Sequence, residues 1–579
     1  MTRRALALAL AVLLAGLLAP AGAGAHALLV DTAPQRGATL REAPERVVLR
    51  FSESVEANFG ALRVFDAAAR RVDDGRTEHP ASDATRLAVG LRPGLPDGTY
   101  VATYRVISAD SHPVSGGLVF SVGRPGATAA PTVADLIGDS KAGPVTQGVF
   151  GLARGLTYLA TALLVGGFVF LLAVWRPVLR APDAATPQWA AAAAAFTGRT
   201  RGLLLGAAAL GVVSGVAGLV MQGATAGATS GWAPLKPSVV REVLGTRFGE
   251  VWGLRVLAFA LLAGIVALAL RRLSPRATLA LAALPAAFLA VAPALAGHAS
   301  TQSPAALLVA LDVTHVIAMS AWIGGLVLLL LALPAATRRL PASERTRLLA
   351  AALLRFSPLA LGCVAALLVT GTVQAIEHVG TWNALLHTGF GRAVLIKIAL
   401  IAALIEIGAL NRRRVIPRLR ALAGADPPAA PGGAGRLLRR ALRAEVALVV
   451  VVLGVTSALV SLPPPSSLAS GPFSGSTAIG PLRLEATVDP ARVGANEIHL
   501  YLLEAKTGTP STATKQLTVT LALPSQRIGP LAATAREAGP GHYVIDTMQL
   551  VPAGNWRLQV VSRVSEFDQY EGALTVAIR

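Results

Sequence analysis

The sequence predicts a multidomain membrane protein. It has an N-terminal all-β Greek-key sandwich or barrel, an eight-helix transmembrane bundle and a C-terminal all-β sandwich of the immunoglobulin type. Of its 579 residues, 53% are hydrophobic and only 15% are charged, and the mean hydropathy is +0.58. That composition excludes a disordered chain. Eight apolar runs are long enough to cross a bilayer, and short runs of alternating polarity lie on both sides of them.

Charge, cysteine content and missing motifs exclude several classes of function. The net charge of +20 does not indicate a nucleic-acid partner, because the arginines cluster in short loops between apolar runs. The single cysteine, Cys363, excludes an intrachain disulfide and any Cys-x-x-Cys motif. A phosphate-binding GxxxxGK[ST] motif does not occur, so we expect no nucleotide-driven pump in this chain. We predict a protein that is not an enzyme.

Residues 1–25 are predicted to be a signal peptide. Arg3 and Arg4 precede an apolar stretch over residues 5–18, and Ala23-Gly24-Ala25 fits a cleavage site. An uncleaved anchor helix is the alternative. Cleavage after Ala25 makes His26 the first residue of the mature chain and places the following segment outside the cytoplasm.

Residues 26–124 are predicted to form a β domain of about 100 residues, because alternating runs are punctuated there by Pro and Gly. An N-terminal His26 can chelate one metal ion through its α-amine and its imidazole. His112 and Asp110 can complete a tetragonal set of nitrogen and oxygen ligands, which suits Cu(II). The alternative is a surface histidine and a loop Asp-x-His without metal. A Pro- and Gly-rich linker follows over residues 125–147.

The stretches HALLVDTAPQRGATL, VVLRFSESV and LPDGTYVATYRVISADSHPVSGGLVFSV resemble the CopC family of periplasmic copper-binding domains. The resemblance implies that His26, Asp110 and His112 bind Cu(II). It places Glu53 beside that site, outside the ligand set. A methionine-rich Cu(I) site is not expected, because the segment contains no methionine. His79 matches no ligand of the family and is predicted to lie on the surface.

Residues 148–463 are predicted to hold eight membrane spans, each of roughly 20 residues or more. The apolar runs lie at about 148–175, 200–222, 250–270, 277–297, 305–336, 350–376, 392–411 and 444–462. The loops after spans 1, 3, 5 and 7 carry four, three, four and nine arginines, whereas the other loops carry four basic residues in all. This asymmetry predicts that the arginine-rich loops are cytoplasmic and that both chain ends lie outside.

Ionisable residues inside spans are costly and therefore point to a function. Asp312 and His315 are three residues apart on predicted span 5, so they share a helix face. His298 ends span 4 and His378 lies at the outer end of span 6. We predict that these four residues line a transport pathway. The alternative is that they are interfacial side chains solvated by lipid headgroups.

The stretches LDVTHVIAMSAWIGGL, RFSPLALGCVAALLVTGTVQ, HTGFGRAVLIKIALIAALIEIGALNRRR and LRAEVALVVVVLGVTSALV resemble the CopD family of copper membrane proteins. That resemblance implies copper movement across the cytoplasmic membrane, usually import. Trp322, Gly324 and Gly325 are predicted to be packing positions.

Residues 464–579 are predicted to form a second β domain, which resembles the YtkA-like domains. Its histidines are His499 and His542. His499 lies on a strand pattern and is predicted to be structural, and no metal motif is found.

These observations predict a bacterial copper transporter in the cytoplasmic membrane, with both terminal domains outside the cytoplasm. It captures Cu(II), passes copper inward and serves copper homeostasis and resistance. Its expected partners are copper ions, the lipid bilayer and an extracytoplasmic copper chaperone or reductase, since the chain shows no reductant. One alternative is a haem- or copper-dependent membrane oxidoreductase, against which the span histidines all lie on one side. Another is a copper-sequestering resistance protein without transport.

Overall fold

The computed structural model describes residues 27, 29–35, 38–58, 61–109, 113–124, 136, 143–180, 186–227, 235–272, 275–300, 304–425, 429–462, 473–505 and 510–578. The predicted signal peptide and the predicted ligands His26, Asp110 and His112 lie outside the described residues. Contacts between Cα atoms divide the chain into two compact units. One unit holds the helices, and the other holds the strands that precede and follow them.

The strands before the helices form two sheets. The strands are β1 (Leu29–Ala33), β2 (Thr39–Leu40), β3 (Arg46–Phe51), β4 (Val55–Glu56), β5 (Leu62–Phe65), β6 (Asp73–Glu78), β7 (Arg86–Leu91), β8 (Gly98–Ser108) and β9 (Pro113–Val122). Their orders in the sheets are β1-β3-β7-β6 and β2-β9-β8-β4, with β5 also paired to β8.

Alternation of polarity explains why these strands enclose a core. In β3, Val47, Leu49 and Phe51 are buried, while the first and fifth residues of the strand are exposed. The Phe51 ring meets the Tyr104 ring of β8 edge to face, with 5.4 Å between ring centroids. β3 in one sheet and β8 in the other therefore contribute to one core, which also includes Leu118.

Eight helices are long and apolar enough to cross a membrane, counted over the part of the chain that the structure describes. The helices are α1 (Pro144–Phe170), α2 (Arg176–Leu179), α3 (Pro187–Ala226), α4 (Pro237–Leu244), α5 (Arg247–Arg272), α6 (Pro275–Leu295), α7 (Ala305–Val327), α8 (Leu333–Thr337), α9 (Ala342–Val379), α10 (Trp382–His387), α11 (Gly389–Leu410), α12 (Ile416–Ala423) and α13 (Gly432–Val460). Spans 1, 5 and 7 are α1–α2, α7–α8 and α11–α12, and spans 2, 3, 4, 6 and 8 are α3, α5, α6, α9 and α13.

Several spans extend beyond the predicted apolar runs. α3 has 40 residues and α9 has 38, because helical hydrogen bonding continues past the apolar stretch into the basic ends. Spans 1, 5 and 7 each contain a π-helical turn, at Leu171–Trp175, Leu328–Ala332 and Asn411–Val415. A proline follows each turn within two residues, and its missing N–H removes one α-helical hydrogen bond.

The predicted packing residues of span 5 lie in the helical core. Gly324 faces Gly166 of span 1 so closely that an added Cβ would stand 2.7 Å from the Gly166 Cα. An added Cβ on Gly325 would overlap the Phe356 ring of span 6, and Trp322 is buried. Small residues thus let spans 1, 5 and 6 approach one another, as predicted.

The strands after the helices also form two sheets. The strands are β10 (Phe473–Ile479), β11 (Leu482–Asp489), β12 (Gly494–Glu504), β13 (Gln516–Leu523), β14 (Ile528–Ala533), β15 (Arg536–Gly539), β16 (His542–Leu550), β17 (Gly554–Arg563) and β18 (Gln569–Ile578). Their orders in the sheets are β10-β11-β12-β16-β15 and β14-β13-β17-β18. Trp556 is fully buried in their common core. The predicted order of β sheets, eight apolar helices and β sheets is confirmed.

Candidate metal sites

Glu53 is the one predicted metal-site residue of the first β region that lies among the described residues. It occupies the bend between β3 and β4, and its side chain is half-buried. Strand pairing brings two other segments to this bend. Leu29, three residues after the predicted ligand His26, pairs with Phe51, and Ser108, just before the segment that holds Asp110 and His112, pairs with Val55. The described neighbours of all three predicted ligands therefore lie near Glu53.

Asp312 and His315 both face span 6. Asp312 Oδ1 accepts a hydrogen bond of 3.1 Å from Gln374 Nε2, and His315 Nδ1 lies 2.8 Å from the hydroxyl of Thr370. Gln374 and Thr370 are four residues apart, which places them on one face of α9. The predicted shared face of Asp312 and His315 thus meets a matching polar face on the neighbouring helix.

The hydrogen bonds around Thr370 assign the proton on His315. Thr370 Oγ1 donates its only proton to the carbonyl oxygen of Ala366 at 2.7 Å. The hydroxyl oxygen must therefore accept from His315, so Nδ1 carries the imidazole hydrogen. Nε2 then carries the lone pair, which is the atom that a neutral histidine offers to a metal. Thr370 itself is 2% exposed, so this arrangement is shielded from competing water.

Lys397 of span 7 is a charged neighbour that the sequence analysis missed. Its ammonium group lies close enough to interact electrostatically with Asp312 and with His315. A single lysine within a long apolar run was the available signal, because an ionisable residue at membrane depth usually has a partner or a function. Gly371 of span 6 also lies beside His315. A Cβ added to Gly371 would stand 3.6 Å from His315 Cε1, which is an ordinary contact distance, so the glycine leaves space next to the imidazole.

The other predicted pathway residues, His298 and His378, lie at or just after the ends of their spans. His298 begins a short 3-10 turn, His298–Ser300, between spans 4 and 5. His378 lies at the end of span 6 and meets the Phe390 ring edge to face, with 6.3 Å between centroids. Among the described residues, no three or more His, Cys, Asp or Glu side chains are grouped to hold a metal ion. Asp312 and His315 thus form a pair within a polar cluster rather than a closed metal cage.

Near the basic ends of the spans, a second buried carboxylate has a neutral partner. Glu445 of span 8 accepts a hydrogen bond of 2.9 Å from Asn411 Nδ2, at the π-helical turn of span 7. Only 3% of Glu445 is exposed. Polar groups thus occur inside the bundle both near Asp312 and toward the arginine-rich ends.

Known protein families match three parts of the chain. The CopC domain matches residues 29–123, which include Glu53, Asp110 and His112. The copper resistance protein D-like N-terminal domain matches residues 145–306, and copper resistance protein D matches residues 350–459. Asp312 and His315 lie between the last two matches.

Individual proteins are also similar to this chain, over most of its length or over its N-terminal part. Copper transport protein CutJ of Bacillus subtilis (strain 168) is 27% identical over 558 residues, which are 94% of each chain. Protein YobA of Escherichia coli (strain K12) is 33% identical over 121 residues, which are 97% of YobA and 21% of this chain. The crystal structure of CopC from Methylosinus trichosporium OB3b is 30% identical, with a TM-score of 0.16, and the match covers 93% of that chain and 17% of this one. This multi-pass membrane protein therefore joins CopC and CopD domains in one chain.

Proposed function

We propose that this protein imports copper across the bacterial cytoplasmic membrane. Cu(II) is captured outside by the N-terminal β domain and passed to Asp312 and His315 within the helical bundle. The observation that carries the proposal is the pair of hydrogen bonds that links His315 to Thr370 and Thr370 to Ala366. These bonds leave Nε2 of His315 available as a metal ligand inside a membrane span. The matched families and the similarity to a copper transport protein along 94% of the chain support copper as the cargo.

Capture uses the α-amine and imidazole of His26 together with Asp110 and His112. These groups make a nitrogen and oxygen set of the kind that Cu(II) prefers. The pairing of β1 with β3 and of β4 with β8 supports this set, because it gathers the neighbouring described residues at one end of the domain. Glu53 lies at that end and supplies negative charge beside the metal.

Transfer through the bundle begins at the outer ends of the spans. His298 and His378 provide imidazoles there, and Asp312 and His315 provide the next ligands. The carboxylate of Asp312 offsets the charge of the ion, and the nitrogen of His315 exchanges for a ligand that the ion loses. Ligand exchange of this kind needs no bound nucleotide. A membrane or soluble reductase outside the cytoplasm supplies Cu(I) if the ion is reduced before entry.

Copper accumulation in intact cells tests the proposal. Cells express the parent chain, His26→Ala with processing verified, or His315→Ala. His387→Ala serves as a matched control, because His387 is an exposed histidine at the end of α10. We expect the parent and His387→Ala to raise intracellular copper, His315→Ala to abolish the rise, and His26→Ala to reduce it only at limiting copper. Lower intracellular copper with the parent would reverse the proposed direction.

Purified protein separates the remaining alternatives. Proteoliposomes that contain the parent chain should take up copper, whereas a sequestering protein binds it without filling the lumen. A haem-dependent oxidoreductase would show a Soret absorption band after purification, and we expect none. Uptake by His315→Ala equal to that of the parent would remove His315 from the pathway.

A further inference from the structure

The C-terminal β region contains a pair of histidines outside its core. Ile498 and Leu500 of β12 point into the core between the sheets, so His499 points to the opposite face. On that face, His542 of β16 stands directly across from Tyr501, two residues after His499. Both imidazoles therefore lie on the outer face of the sheet.

The two rings are nevertheless buried and in direct contact. His499 Nδ1 lies 3.1 Å from His542 Nε2, and the ring planes differ by 16°. The Tyr501 ring stacks on His542 with 4.3 Å between centroids. His499 is 8% exposed and His542 is 6% exposed. At this distance one ring can donate its N–H hydrogen to the lone pair of the other, and a cation bound to both lone pairs can replace that hydrogen.

A buried carboxylate accompanies the pair. Glu497 Oε1 lies 3.1 Å from His499 Nε2, and the Glu497 side chain is 12% exposed. Apart from that imidazole nitrogen, no hydrogen-bond donor reaches this oxygen within the described part of the chain. A negative oxygen with so little compensation is costly to bury, and a positive charge on the adjacent imidazole pair offsets that cost.

A metal ion is the cation that two imidazoles bind through facing lone pairs, and its charge offsets that of the buried Glu497 carboxylate. Only two ligands face each other here, since no group of three His, Cys, Asp or Glu side chains suited to a metal occurs among the described residues. A four-ligand Cu(II) site is therefore not provided by these side chains.

We propose that His499 and His542 bind one Cu(I) ion between Nδ1 of His499 and Nε2 of His542. Monovalent copper accepts two nitrogen ligands in line, and its single charge neutralises that of Glu497. His542 then carries its hydrogen on Nδ1. Metal–nitrogen bonds of about 2 Å, as in zinc sites, place two opposed nitrogens about 4 Å apart, so the rings move by roughly 1 Å. This second copper site does not depend on the proposed transport function.

Anaerobic Cu(I) titration of the purified full chain tests the site. A chromogenic Cu(I) chelator competes for the metal, and the chain carries His315→Ala so that the membrane histidine does not contribute. We expect His499→Gln and His542→Gln each to bind one Cu(I) fewer than this parent. Tyr501→Phe is the matched control, because it keeps the stacked ring and both imidazoles, and it should bind as the parent does.

Glu497→Gln tests the role of the carboxylate. It should keep the Cu(I) stoichiometry and weaken the affinity by about 10- to 100-fold, the usual effect of losing a partner of a metal ligand. The proposal is overturned if either histidine variant binds as much Cu(I) as the parent. It is also overturned if Tyr501→Phe loses the ion, because Tyr501 supplies no ligand.

A measurement without histidine substitutions guards against variants that fail to fold. Amide hydrogen exchange is followed by mass spectrometry in the His315→Ala chain, with and without Cu(I). A bound ion stabilises the state that binds it, so exchange should slow in β12 and β16 while β14 in the other sheet stays unchanged. Unchanged exchange in β12 and β16 at saturating Cu(I) would exclude the site.

Discussion

The hydroxyl of Thr370 fixes the orientation and the tautomer of His315. It accepts from Nδ1 at 2.8 Å and donates to the backbone of its own helix, so it cannot reverse its role without breaking a second bond. A histidine that binds metal usually holds its other nitrogen in this way. Span 6 therefore controls which nitrogen of span 5 is offered to copper.

Thr370→Val should impair copper uptake more than Thr370→Ser does. Valine keeps the shape of threonine but leaves the Nδ1 hydrogen of His315 without an acceptor, whereas serine keeps the hydroxyl. We expect the copper concentration for half-maximal uptake to rise about 10- to 100-fold for valine and to change little for serine. Initial uptake rates in proteoliposomes measure this. Equal values for the two variants would mean that the hydroxyl does not orient His315.

Lys397 should weaken copper binding at Asp312. Its positive charge acts on the same carboxylate that receives the ion, and like charges repel strongly where water is scarce. Lys397→Met should therefore lower the copper concentration for half-maximal uptake by about tenfold, or about 1.4 kcal/mol. Slower release should reduce the maximal rate. Lys397→Arg keeps the charge and serves as the control, and a Met variant that behaves like it would contradict this role.

Gly324 should tolerate no side chain. An added Cβ would lie 2.7 Å from the Gly166 Cα and equally close to the Ala162 carbonyl oxygen, and backbone cannot yield as a flexible side chain does. Gly324→Val should destabilise the bundle by at least about 1–3 kcal/mol. Gly362→Val is the control, because an added Cβ there has no described atom within 4 Å. Thermal unfolding in detergent compares the two, and similar midpoints would refute the close contact.

The predicted orientation places both β regions outside the cytoplasm. A chain with Cys363→Ala carries one new cysteine at an exposed position: Ser82→Cys, Gln526→Cys or Ala342→Cys. A membrane-impermeant maleimide added to intact cells or spheroplasts should label the first two. It should label Ala342→Cys, in an arginine-rich loop, only after lysis. Labelling of Ala342→Cys before lysis would reverse the orientation.

The strands that hold His542 should lose stability as the pH falls. Burial, His499 and Arg536 lower the pKa of His542 in the folded chain, whereas the unfolded chain protonates near 6.5. At pH values between the lowered pKa and 6.5, the unfolded state binds more protons than the folded state. The free energy of unfolding therefore decreases by up to about 1.4 kcal/mol per pH unit below about pH 6.5. The Tyr501 ring also stacks on His542, and Glu497 faces the neighbouring His499.

Hydrogen exchange measures this pH effect in the metal-free chain. After correction for the intrinsic rate, exchange in β12 and β16 should speed up by as much as about tenfold per pH unit as the pH falls from 6.5. His542→Gln should remove most of this dependence. A Gln variant with the same dependence as the parent would assign it to another group.

Sequence patterns correctly predicted the order of β regions and apolar helices along the chain, because these patterns depend on local properties. Eight apolar runs require helices wherever the backbone cannot bond to water, and alternating polarity requires strands. The same patterns predicted helix ends poorly. α3 and α9 continue well past their apolar stretches, because backbone hydrogen bonds do not stop where hydropathy changes.

The candidate membrane site was predicted in part. Asp312 and His315 were identified because charged and imidazole groups stand out in an apolar run. Thr370 and Lys397 were not identified. The role of a single hydroxyl or lysine depends on which residue of another helix it contacts, and the sequence does not show that contact. The Cu(II) ligands His26, Asp110 and His112 and the domain boundaries remain predictions.

By itself, the sequence determined the β sheets at both ends, the eight apolar helices between them and the copper-protein resemblances, since each follows from residues close together in the chain. Only the tertiary structure decided which polar groups meet. It paired His315 with Thr370, 55 residues apart, and His499 with His542, 43 residues apart. Helix packing and strand register set these pairs, and both depend on shape complementarity across the whole fold rather than on local composition.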